Sequence, residues 1–144
     1  MKLTKQYAIS AALAAATLSS ALALSAPLPP VKIQGEVAYL SGGIGKDEAR
    51  TILAAAKDYP LALEFAAATH AKHGPKTEYT AAVPVTIKDL QGTVVLSTTS
   101  EGPFMLVKLP AGRYLISAER NGKVERRLVW VTGEPRLLVF EWAA

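Results

Sequence analysis

The chain has 144 residues, half of them apolar and 19% charged, with a formal charge of +4 and no cysteine. A chain of this length can bury on the order of two-thirds of its unfolded surface, so it needs no disulfide to hold a core, and with no thiol it has none. Its 16 Lys and Arg are spread among 12 Asp and Glu, which excludes the clustered cations that phosphate neutralisation or a polybasic membrane patch would require.

Residues 1–25 read as a secretory signal peptide. Lys2 and Lys5 precede an apolar stretch over residues 8–18, and the small residues Ala21, Ala23 and Ser25 place cleavage near 23 or 25. Ser10, Thr17, Ser19 and Ser20 interrupt the apolar run, which is too short for a retained membrane span. Losing Lys2 and Lys5 lowers the formal charge from +4 to +2. Residues 26–144 are expected to be one mature domain in the periplasm or the medium.

After Pro27, Pro29 and Pro30, residues 31–39 alternate, with Val31, Ile33, Val37 and Tyr39 on one face and Lys32, Gln34 and Glu36 on the other, which predicts a strand. The turn Ser41-Gly42-Gly43-Ile44-Gly45 leads into a helix over about residues 46–59, marked by Ala49, Ile52, Leu53 and Ala56 at helical spacing and stopped by Pro60. Asp47 and Glu48 in its first turn and Lys57 in its last suit the helix dipole. Leu61, Leu63 and Phe65 predict another strand, followed by a looser segment over residues 68–82 with Gly74-Pro75.

Residues 83–118 carry the clearest pattern. Val83, Val85 and Ile87 alternate with Pro84, Thr86 and Lys88, and Asp89-Leu90-Gln91-Gly92 makes a turn with Gly at its exit. Further strands are predicted over residues 93–99, 104–109 and 113–119, separated by Ser100-Glu101-Gly102-Pro103 and Pro110-Ala111-Gly112. Asn121-Gly122 predicts a type I′ hairpin into residues 123–131, and residues 136–142 form a last strand, apolar on both faces, after Gly133-Glu134-Pro135. Together these predict an antiparallel β-sandwich of about eight strands with one helix near the start of the mature chain.

The succession V-x-V-x-I-x-D-x-x-G, S-E-G-P-F-x-L and L-P-A-G-R-Y-x-I over residues 83–131 resembles the carboxypeptidase regulatory-like domain, a β-sandwich of the prealbumin (transthyretin-like) kind. The resemblance covers less than half of the chain. It implies a prealbumin-like fold and an accessory module that has no catalytic residues of its own.

The chemistry-bearing candidates are few. Gly42, Gly43 and Gly45 lie where backbone amides and a helix N-terminus could cradle an anion, but Lys46 is followed by Asp47 rather than the Ser or Thr of a phosphate loop. The reading preferred for them is a tight turn, with Gly45 as helix cap and the turn as a secondary contact surface. His70 and His73 are the only histidines and are weak metal candidates, because no third ligand stands at a recognised spacing, and a solvated loop is the expected setting. Tyr114 and Trp142 are expected in the core, whereas Trp130 shares its strand face with both Leu128 and Arg126 and stays open. Pro84 predicts that its strand is a sheet edge, which would make Pro84, Thr86 and Lys88 the leading partner-binding candidates.

No cofactor and no nucleic acid are expected. The function expected is that of an exported, non-catalytic interaction or structural module with a protein partner in the cell envelope. Two alternatives stand beside it: a carbohydrate-binding module using exposed aromatics, and a small metal-dependent hydrolase using His70 and His73.

Overall fold

Apolar alternation and turn chemistry put most strands where the sequence predicts them. The computed structural model describes residues 26–143, so the leader predicted over residues 1–25 lies outside the described residues. In chain order the elements are β1 (Lys32–Gln34), β2 (Val37–Gly42), α1 (Lys46–Ala55) extended by a 3-10 turn (Ala56–Asp58), β3 (Leu61–Ala71), β4 (Gly74–Tyr79), β5 (Val83–Asp89), β6 (Val94–Ser100), β7 (Phe104–Lys108), β8 (Gly112–Arg120), β9 (Lys123–Val131) and β10 (Arg136–Trp142).

These strands make two facing sheets. One has six strands in the order β1-β2-β7-β3-β10, with β4 pairing the far half of β3, and the other has four in the order β6-β5-β8-β9. Between them lies the main core, with Leu61, Leu63, Phe65, Met105, Phe140 and Trp142 from the first sheet against Val85, Ile87, Leu96, Ile116 and Val131 from the second. A smaller core forms on the outer face of the six-stranded sheet, where Ile52 of α1 packs on Leu40, Ala62, Phe104 and Leu106. Strand β7 is therefore covered on both faces, which explains its unbroken apolar run Phe104-Met105-Leu106-Val107.

Turn residues act as their chemistry requires. Asn121 (φ 51°) and Gly122 (φ 79°) both take the left-handed region that a type I′ hairpin needs, and Arg120 pairs with Lys123 across it. Between β5 and β6 the Asp89 carboxylate accepts from the amides of Gln91 (3.0 Å) and Thr93 (2.9 Å), closing the turn from within. At the β7–β8 corner the buried Tyr114 phenol donates to the Pro110 carbonyl at 2.7 Å, so the chain is pinned where it crosses from one sheet to the other.

Several expectations need correction. There are ten strands rather than about eight. The run over residues 31–39 is broken at Gly35 (φ 59°), and its two halves fold back as the β1–β2 hairpin, Gln34 opposite Val37. The segment over residues 68–82, read as a loop, instead extends β3 and supplies β4, with His70 opposite Pro75. The sheets are not wholly antiparallel, because β10 runs parallel to β3 from Arg136↔Leu61 to Trp142↔Ala67.

The helix proper stops at Ala55, and Leu53 lies outside its buried face, 47% exposed, while Ile52, Ala49 and Ala55 pack inward. Strand β5 is not an edge, since it is flanked by β6 and β8. Proline is accommodated at Pro84 because the β5–β8 ladder begins one residue later, at Val85↔Ala118, so on that side there is no ladder for the missing N–H to interrupt.

Candidate functional site

The outer face of the four-stranded sheet leaves several apolar side chains in water, Trp130 among them. Alternation in β9 sends Val129 and Val131 into the core and leaves Val124, Arg126, Leu128 and Trp130 outside. Register then places Arg113 opposite Trp130 and Leu115 opposite Leu128. Leu128 is 66% exposed and Trp130 57%. The Arg113 guanidinium lies 4.6 Å from the centroid of the Trp130 ring, a stacking that holds both planar groups in place.

Continuing across the sheet, Lys88 stands opposite Leu115, Thr86 opposite Ser117, and Ser117 opposite Arg126. The face thus has an apolar centre of Leu115, Leu128 and Trp130. Lys88, Arg113 and Arg126 surround it, with Glu119 as the acidic neighbour beyond Ser117. Thr86 and Lys88 belong to this surface by their side chains, not through a free strand edge.

The sheet edges themselves are guarded. Gln34 turns its side-chain amide onto β6, accepting from the Ser97 amide at 2.8 Å and donating to the Ser97 carbonyl at 3.1 Å. One side chain thereby stands in for a neighbouring strand at that position. Strand β4 carries the Lys76–Glu78 ion pair. At the opposite side of the sandwich Trp142 of β10 donates its indole N–H to the Lys123 carbonyl of β9 at 2.9 Å.

The glycine turn does not present a free anion site. The Gly43 amide donates to the Glu48 carboxylate at 2.6 Å, so a residue of the helix's own first turn occupies the cradle. Gly42 and Gly43 are buried, and a Cβ at Gly42 would run into the Glu48 carboxylate, while one at Gly43 would come within 2.5 Å of the Phe104 ring. Gly45 (φ 97°) is the helix cap, and its carbonyl accepts from Ala49 at 3.1 Å.

His70 lies exposed on β3 and His73 in the β3–β4 turn. Glu64 is six residues back along the same strand, about 20 Å away, and is engaged with Tyr79, whose phenol it pushes above its usual range chiefly by its charge. Glu78 stands opposite Ala67 and so falls on the other face of the sheet from His70. Among the described residues no three His, Cys, Asp or Glu side chains gather closely enough to hold a metal.

Arg113 and Leu115 were not singled out from the sequence. The signal available was their place in β8, two residues apart with Tyr114 between them pointing inward, but their meeting with Trp130 and Leu128 depends on the β8–β9 register. Comparisons of the chain with protein-family models, with curated proteins and with solved structures each give no match.

Proposed function

We propose that the protein is an exported, non-catalytic interaction module that contacts a protein partner of the cell envelope through the outer face of its four-stranded sheet. The observation that carries this reading is the exposed Leu128–Trp130 pair with Arg113 stacked on the indole. Trp and Arg are the side chains that most often anchor interfaces, and exposed apolar residues rimmed by polar ones are characteristic of such surfaces. Lys88, Arg113 and Arg126 against the single acid Glu119 fit a partner with an acidic rim around an apolar centre. The resemblance of residues 83–131 to carboxypeptidase regulatory-like domains supports an accessory role, and the leader-like residues 1–25 support export.

A sugar-binding reading rests on the same Trp130. Against it, the Arg113 guanidinium covers a ring face that a sugar would need.

Photocrosslinking in the native envelope, with probes at Leu128 and Leu115 compared with a probe at Lys57 beyond α1, tests the proposal. Capture from the sheet face alone, abolished by Trp130→Ala and weakened by Arg113→Glu or added salt, is the expected result. Capture from Lys57 alone, or capture indifferent to both substitutions, would refute it. A glycan-array signal lost on Trp130→Ala would replace the protein partner with a carbohydrate.

A further inference from the structure

Three turns converge at one end of the sandwich and enclose a cleft of about 420 Å³, a size at which small-ligand sites are commonly found. The β1–β2 turn supplies Glu36 with Val37 at the start of β2, the end of β5 supplies Asp89, the start of β6 Val94 and Val95, and the β7–β8 corner Leu109, with Tyr114 reaching in from β8. Hydrogen bonds hold the three turns in place. Gln34 clamps the β1–β2 hairpin to Ser97, Asp89 is fixed by the amides of Gln91 and Thr93, and Tyr114 by the Pro110 carbonyl. With Asp89 and Tyr114 locked in advance, little of their entropy is lost on binding.

The chemistry of the lining is one-sided. Buried Val37, Leu109 and Tyr114 form the floor and Val94 and Val95 offer the accessible apolar surface, whereas the charged groups are the carboxylates of Glu36 and Asp89, with no Lys or Arg among the lining residues. Asp89 commits Oδ1 to the two turn amides, and among the described residues no donor is bonded to Oδ2. The Tyr114 oxygen spends its proton on Pro110 and keeps acceptor capacity. Its phenol is held above the ordinary range first by burial and then by the charges of Asp89 and Glu36, so both carboxylates act on the same interior point.

We infer that this cleft binds an organic cation, an ammonium or guanidinium group carried on an apolar stem. The stem lies on Val94 and Val95, and the cationic head meets Asp89, Glu36 and the Tyr114 oxygen. Such a group is found both in free alkyl amines or guanidines and in the basic side chains of peptides. The site is separate from the Trp130 face and does not depend on that surface having a partner.

Titration of the isotopically labelled protein, read by amide chemical shifts, tests it with butylguanidinium, with alanyl-arginyl-alanine amide, and with the norleucine analogue of that peptide as the neutral control. Saturable shifts centred on Gly35, Val37, Val95 and Tyr114 are expected with a cation and not with the norleucine peptide. Response to both cations shows that the site admits a peptide side chain, and response to butylguanidinium alone identifies a free small molecule. Glu36→Gln and Asp89→Asn, the latter keeping a carbonyl oxygen for the turn amides, are each expected to weaken binding about fivefold, the upper end for a rim-exposed charge pair. Trp130→Ala is expected to leave the titration unchanged, which separates failure here from failure of the sheet-face reading. No saturable shift with either cation, equal response to the norleucine peptide, or binding indifferent to the double substitution would each overturn the assignment.

Discussion

Trp142 is where the last strand locks the sandwich, and its replacement measures how much that lock contributes. The side chain is 1% exposed, its ring lies 6.5 Å from Phe65, and its indole N–H donates to the Lys123 carbonyl on β9 at 2.9 Å. Trp142→Ala removes both the buried ring and the bond, and a loss of about 3–5 kcal/mol is expected for a large aromatic truncated in a core. That is a large share of the roughly 5–15 kcal/mol that holds a domain of this size.

Trp142→Phe keeps most of the apolar surface and removes the donor. Its expected cost is about 1–2 kcal/mol, from one net hydrogen bond and a slightly smaller ring. Urea unfolding should be followed by far-ultraviolet circular dichroism, because the remaining tryptophan, Trp130, is already 57% exposed and its emission reports unfolding poorly. Midpoints should fall in the order wild type, Phe, Ala with the denaturant slope unchanged. An Ala variant within about 0.5 kcal/mol of wild type, the range of ordinary surface substitutions, would mean that β10 is not docked as described.

Other expectations follow from single contacts. A Cβ at Gly102 would overlap the backbone of Gly42, whereas one at Gly133 would meet nothing within 4 Å. Gly102→Ala should therefore cost about 1–3 kcal/mol or more in thermal or urea unfolding, while Gly133→Ala stays within about 0.5 kcal/mol of wild type. Because the folded-state pKa of Tyr114 is raised, the native state holds the phenol proton after the unfolded chain has released it. Stability from this group is intact below pH about 10 and is lost as pH rises through the ordinary phenol value towards the folded one, so Tyr114→Phe should flatten the alkaline arm of a stability–pH profile. Gln34→Ala frees both backbone groups of Ser97 at the β6 edge, and sedimentation should report increased self-association with a stability loss of only about 1 kcal/mol.

Much of the fold was legible in the sequence because local chemistry decides it. Asn121-Gly122, Asp89 to Gly92 and the alternation of Val83, Val85 and Ile87 each specify a turn or a buried face from a few neighbouring residues. Tyr114 and Trp142 could be assigned to the core for the same reason, by their strand faces. The readings that failed concerned choices that no short window contains. Residues 31–39 alternate equally well as one strand or as two halves of a hairpin, and only the left-handed Gly35 with β7 beside β2 decides between them.

Strand β4 has weak apolar periodicity and exists because β3 runs long enough to leave backbone groups beyond the reach of β7. Pro84 pointed to an edge because a proline signals one missing bond, yet which flank of a strand is paired depends on where the neighbouring ladder starts, here at Val85↔Ala118. The same holds for the two candidate sites. The sequence by itself offered Lys88 as a contact residue through a strand edge, left Trp130 open between core and surface, and showed that Asp89 and Tyr114 flank turns. Only tertiary register could set Arg113 on the Trp130 ring and bring Glu36, Asp89 and Tyr114 around one cleft, because backbone pairing between strands distant in sequence, not the local preferences of any residue, fixes which side chains share a surface.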